Sequence, residues 1–132
     1  MVGIVIVSHS AKVAEGVVEL AAIMAPNTPM RAAGGLEDGG FGTSYEKILD
    51  AINEIYTDDG VVVLMDIGSS VMVTRSVIED INEESERLIK MVDCPLVEGA
   101  IVAAVTSSCG DDIDAVIEEA ESVGRTPKLS RH

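Results

Sequence analysis

Residues Val2–Ser10 read VGIVIVSHS, a β-branched run with one glycine that closes on a histidine between two serines. Strands with one face in water alternate apolar and polar residues, whereas this run is apolar throughout. It therefore predicts a strand buried on both faces, near the centre of a parallel sheet. From Ser10 to Met24 the pattern changes to helical spacing. Val13, Val17, Leu20, Ala21 and Met24 form the expected buried stripe, Ser10 is the expected N-cap, and Pro26 lies just past the end.

The same alternation continues along the chain. Thr28 to Ala33 predicts a weaker strand, followed by GGLEDGGFGTS from Gly34 to Ser44, a loop with five glycines. Thr43 and Glu46 have the spacing of a capping box, and Ile48, Leu49, Ile52 and Ile55 fall on one stripe of the helix behind it. Gly60 to Met65 predicts another fully apolar strand, ending at Asp66-Ile67-Gly68-Ser69-Ser70. The next helix turns Val73, Val77, Ile78 and Ile81 to the core. Arg87 to Val92 predicts a fourth strand. Val97–Ser107 and Asp111–Val123 predict two helices broken at Gly110. Strands alternating with helices imply right-handed βαβ units. The expected fold is an α/β, open, mostly parallel four-stranded sheet of order 2-1-3-4 with helices on both faces, although sequence alone does not fix that order.

Length and composition narrow the function. A chain of 132 residues that is 47% apolar fits one folded domain. No apolar run approaches the roughly 18 residues of a membrane span. Met1 to Val7 lacks a basic flank and a cleavage site, so a cytoplasmic location is expected. Cys94 and Cys109 form no CxxC pair and have no neighbouring histidine, so they are expected to be free core thiols and no metal site is expected. With 23 acidic against 9 basic residues the net charge is −14. That excess, together with the absence of Trp and only three other aromatics, argues against nucleic-acid binding. The dispersed acids fit a solvated surface in a salt-rich cell better than a steering face for a basic partner.

The candidate chemistry lies at two strand ends. Ligands of open parallel sheets bind beyond the carboxyl ends of the strands, where strand order reverses. In the order 2-1-3-4, His9 and Asp66 meet at that point. A carboxylate accepting the Nδ1 proton leaves the Nε2 lone pair of a histidine free to attack phosphorus. Two helices start nearby, and their N-termini favour an anion. The expected phosphoryl contacts are Ser10, Gly40, Gly42, Thr43, Gly68, Ser69 and Ser70. Alone, each feature has an ordinary explanation: a structural histidine, an aspartate in a turn, a flexible glycine linker. Their coincidence at one sheet edge favours a site. GxxxxGK[ST] and GxGxxG are both absent, so direct nucleotide binding has little support.

VGIVIVSHS, GGLEDGGFGTS, VLMDIGSS from Val63 to Ser70 and PLVEGA from Pro95 to Ala100, in this order, resemble the phosphotransferase subunits of phosphoenolpyruvate-dependent dihydroxyacetone kinases. The phosphocarrier domain of those subunits is similar to the mannose-class IIA (EIIA) domains of sugar phosphotransferase systems. The resemblance covers about residues 2 to 124 and implies a carrier domain over 1–124 with a C-terminal tail over 125–132. It implies that His9 is phosphorylated on Nε2 by the phosphocarrier protein HPr, that Asp66 orients the ring, and that Ser69 or Ser70 touches the phosphoryl group. It implies no cofactor on this chain. ADP and Mg are expected on a DhaL-type partner subunit, and a DhaK-type subunit is expected to present dihydroxyacetone, as part of glycerol metabolism. A homodimer is implied as well. The tail from Arg125 shows no pattern for the fifth, antiparallel strand that can cross between subunits in the mannose class. Two other readings remain: transfer to a sugar-transporting IIB domain, and a CheY-like module in which Asp66 is the switch. Such a module uses an acidic pair after its first strand, where Ser8-His9-Ser10 stands here.

Overall fold

The computed structural model describes residues 1–129. Four strands, β1 (Gly3–Ser8), β2 (Met30–Gly34), β3 (Val61–Met65) and β4 (Ile89–Val92), pair in parallel in the order β2-β1-β3-β4. The register sets Val7 opposite Met65 and Ser8 opposite Gly34, so the residues after β1 and β3 emerge side by side.

All six residues of β1 and all five of β3 are buried, because successive side chains feed two cores. Ile4, Ile6, Val62 and Leu64 point to helices α1 (Ala11–Met24), α4 (Leu96–Ser108) and α5 (Ile113–Ser122). Val5, Val7, Val61 and Val63 point to α2 (Tyr45–Ile55) and α3 (Gly68–Glu84). The sheet is thus the middle of three layers, as the apolar runs predict.

Several local expectations are corrected. Helix α1 buries Ala14, Val17 and Ala21, leaving Val13, Leu20 and Met24 46%, 43% and 63% exposed. The cause is close approach: a Cβ at Gly34 would lie 2.7 Å from the Ala14 Cβ and 2.6 Å from the Ser10 carbonyl oxygen. Only a small residue fits that contact, so Ala14 faces Gly34 and its neighbour Val13 turns out. The expected capping box of α2 does not form. Ser44 is the N-cap, its Oγ accepting the Lys47 N–H at 3.2 Å, while the Thr43 hydroxyl turns to Ser70.

Strand β2 starts at Met30. Thr28 is buried ahead of it and donates to the Ala104 carbonyl at 2.9 Å. Arg87 lies outside β4, with its guanidinium 5.0 Å from the Tyr56 ring centroid. Cys94 is partly buried and Cys109 is exposed at the end of α4, so only the former approaches a core thiol. Burial, then the negative charges of Asp93 and Glu121, push the Cys94 thiol up to about 12. After α5 comes a 3-10 turn over Val123–Arg125, and no fifth strand occurs among the described residues. The end of the expected tail, 130–132 with His132, lies outside them. No helix of the described residues is long and apolar enough to cross a membrane.

Candidate active site at the ends of β1 and β3

Asp66 organises the crevice. Its backbone N–H donates to the Val7 carbonyl at 3.2 Å, extending the β1–β3 ladder by one residue and fixing the carboxylate beside Ser8 and His9. Oδ2 accepts the Ser8 hydroxyl at 2.8 Å and the His9 backbone N–H at 2.9 Å. Oδ1 accepts the Ile67 N–H at 2.7 Å and the Ser70 hydroxyl at 2.9 Å, and lies 3.0 Å from His9 Nδ1. Burial alone would raise the carboxyl pKa. The two backbone N–H groups and two hydroxyls outweigh it and hold Asp66 well below the usual carboxylate range. It is a fixed anion facing the imidazole.

An anionic Oδ1 can only accept, so the proton of the neutral ring lies on Nδ1 and the lone pair on Nε2. Nε2 points away from Asp66 to the Ser69 hydroxyl at 2.5 Å. The His9 side chain is 25% exposed, enough for a partner to reach it. Below it Thr43 Oγ1 lies 3.0 Å from Ser70 Oγ, which sits 3.3 Å from Nδ1. The chain from Thr43 through Ser70 to Asp66 ties the glycine loop to the carboxylate.

Of the expected phosphoryl contacts, Ser69 touches Nε2, Ser70 and Thr43 sit on the buried side of the ring, and Gly68 starts α3. Gly42, at φ +149°, donates its N–H to the His9 carbonyl at 2.9 Å and so anchors the loop beside the ring. Ser10 and Gly40 have bonds of their own. The Ser10 hydroxyl accepts the Val13 N–H at 3.3 Å, and the Gly40 N–H donates to Asp38 Oδ1 at 2.8 Å. Ser8 was not among the expected residues. It is 1% exposed and bridges Asp66 Oδ2 and the Ser10 N–H, the latter at 3.1 Å. A serine ending a fully apolar strand is the signal that could have revealed it, since a buried hydroxyl needs partners.

Fold and site together define a class: a parallel α/β domain carrying a carboxylate-oriented, accessible histidine at its switch point. The chain belongs to the family described as the PTS system fructose IIA component, whose model matches residues 3–117. It is 37% identical over 124 residues to the phosphoryl donor subunit DhaM of the PEP-dependent dihydroxyacetone kinase of Escherichia coli, covering 91% of this chain and 26% of that protein. It therefore spans about a quarter of that relative. It is also 34% identical over 121 residues to the phosphotransferase subunit DhaM of the PTS-dependent dihydroxyacetone kinase of Lactococcus lactis, covering 92% of this chain and 94% of the relative. A crystal structure of a protein of unknown function superposes with a TM-score of 0.84 at 32% identity, covering 96% of this chain and 98% of that one. The dihydroxyacetone kinase of C. freundii shares the fold with a TM-score of 0.68 at 13% identity, over 93% of this chain and 24% of its own.

Proposed function

We propose that this chain is the phosphoryl carrier of a phosphoenolpyruvate-dependent dihydroxyacetone kinase. The observation that carries the reading is the ring of His9, with Asp66 3.0 Å from Nδ1 and Nε2 turned outward. Nε2 attacks the phosphorus of a phosphorylated HPr; the donor P–N bond breaks as the new one forms, and Nδ1–H stays on Asp66. The anion then lies over the first turn of α3, where the Gly68 and Ser69 N–H groups have no intrahelical acceptor. A terminal phosphate oxygen of ADP, held with Mg in a DhaL-type subunit, attacks next. ATP forms there, the His9 lone pair returns, and a DhaK-type subunit presents dihydroxyacetone. The curated relatives named as DhaM support this reading. It includes a carrier domain over 1–124, a homodimer and a cytoplasmic location. Sedimentation equilibrium tests the dimer.

Incubation with phosphoenolpyruvate, enzyme I and HPr is expected to give an acid-labile, base-stable phosphoprotein, and His9→Ala is expected to take no label. Retained label in His9→Ala contradicts the assignment. A second reading is favoured by the family description, a IIA component: the acceptor is a IIB domain. Mixing the phosphorylated chain with each acceptor separates the two, and transfer to the ADP-bearing subunit alone is expected.

A further inference from the structure

Lys47 stands in the first turn of α2, where the helix dipole works against a cation. Its ammonium donates to the Gly34 carbonyl at 3.0 Å in a partly buried contact. Gly34 is the last residue of β2, an edge strand of the sheet, and the glycine loop starts there. The Gly35 N–H donates inward to the Ser8 carbonyl at 3.1 Å, so the Gly34 carbonyl of the same trans peptide points away from the sheet. Lys47 reaches that carbonyl from beyond the other end of the loop.

Both legs of the loop are bound to the site. The first is held to Ser8 through Gly35, and the second holds the His9 carbonyl through Gly42 and the Ser70 hydroxyl through Thr43. The legs are tied to each other by a β-bridge between Gly35 and Thr43, by an exposed bond from Ser44 to Glu37, and by Lys47. The Lys47 N–H is fixed to Ser44 on the second leg and its ammonium to Gly34 on the first, so one residue spans the loop. Of the two side-chain ties, the one from Lys47 is shielded from water, which strengthens it. Arg31 offers a comparison: it donates to the outward Met30 carbonyl at 2.8 Å, at the other end of β2. Protecting an open strand edge accounts for both cations. Only Lys47 binds the end that leads to His9.

We propose that Lys47 is a positioning residue for phosphoryl transfer: by holding the Gly34 carbonyl it keeps the glycine loop closed, so that Gly42 and Thr43 hold His9 and the Ser70–Asp66 pair in register. This role rests on His9 being the phosphoryl acceptor. The test is single-turnover labelling of His9 over a range of phosphorylated HPr concentrations, with hydrogen exchange of the Gly42 amide read by NMR. In Lys47→Met the limiting rate is expected to fall roughly ten-fold, while the HPr concentration giving half that rate stays within about two-fold. The Gly42 amide is expected to exchange roughly ten-fold faster. Lys47→Arg keeps a cationic donor and is expected to recover most of the rate. Arg31→Met loses the equivalent bond at the far end of β2 and is expected to match the wild type in rate and in Gly42 exchange. An unchanged limiting rate in Lys47→Met, a fall without faster Gly42 exchange, an equal fall in Arg31→Met, or no recovery in Lys47→Arg overturns the positioning role, while wild-type label on His9 leaves the carrier reading standing. A wild type that takes no label overturns the carrier reading itself.

Discussion

Two helices start at the same sheet edge, one after β1 and one after β3, and their first turns are finished differently. At α1 the Ser10 hydroxyl accepts the Val13 N–H and the Ser10 N–H is bound by Ser8, so the turn is tied to the protein. At α3 the N-cap is Ile67, which offers no side-chain acceptor. A side-chain cap satisfies only one of the four orphan N–H groups, and at α3 the Ser70 N–H is taken instead by the Ile67 carbonyl at 2.9 Å. Both ends therefore keep donors at their first two positions and differ in which of them His9 faces. His9 belongs to the first turn by sequence, but its Nε2 reaches across to Ser69 in the second. In the proposed mechanism the residue before α1 supplies the nucleophile, and the first turn of α3, which Nε2 faces, receives the charge.

Removing the charge that orients the ring is the harshest way to break this division. Asp66→Asn can no longer attract the Nδ1 proton as an anion does, and phosphoryl transfer is expected to fall at least about a hundred-fold with the fold retained. Single-turnover labelling checks it; transfer at the wild-type rate removes Asp66 from the mechanism. The same carboxylate predicts a pH effect on stability. Its pKa is lower folded than unfolded, so its stabilisation is complete above the ordinary aspartate range near pH 4 and is lost as pH falls below it. Urea midpoints of the wild type should drop more steeply with acid than those of Asp66→Asn, and parallel curves would contradict the bonding described.

Ser8→Ala removes one bond from Asp66 Oδ2 and leaves the Ser10 N–H without its partner in a partly buried spot. A loss of about 1–3 kcal/mol by urea unfolding is expected, with transfer slowed roughly ten-fold. Stability lost without any change in transfer would make Ser8 a fold residue alone. Ile67→Asp gives α3 the cap it lacks, a gain of about 1 kcal/mol. The new carboxylate then competes with the phosphoryl group, and the fraction of His9 phosphorylated at equilibrium with charged HPr is expected to fall several-fold; an unchanged fraction would show that the open end of α3 is not used. The smallest effect is expected at the turn already closed. Ser10→Ala should cost about 1 kcal/mol by thermal or urea unfolding and change transfer less than three-fold. A large loss of transfer with full stability would support Ser10 as a phosphoryl contact.

The sheet was legible because both-face burial leaves an unmistakable mark: β1 and β3 are apolar at every position except the terminal Ser8. The meeting of His9 and Asp66 was legible once the strand order was assumed, since it follows from topology. What periodicity misread depends on distance between elements. Val13, Leu20 and Met24 have the spacing of a core stripe, but Ala14, Val17 and Ala21 take the buried face, and at Ala14 the closeness of Gly34 admits only a small side chain. Nothing in the order of residues encodes that gap. Thr43 and Ser44 are both suitable caps, and the choice between them is made by Ser70, 27 residues away. Ser8 escaped notice for a related reason: its two partners are recruited by the fold, and its sequence neighbours look like any strand end.

The central claim is that the phosphoryl group resides on Nε2 of His9 while Asp66 keeps the Nδ1 proton. Nitrogen-15 and phosphorus-31 NMR of the 15N-histidine-labelled phosphoprotein reads both atoms at once. Phosphorus coupled to Nε2 of His9, with a proton retained on Nδ1, is the predicted spectrum; phosphorus on Nδ1, or an acyl phosphate on Asp66, would contradict the account.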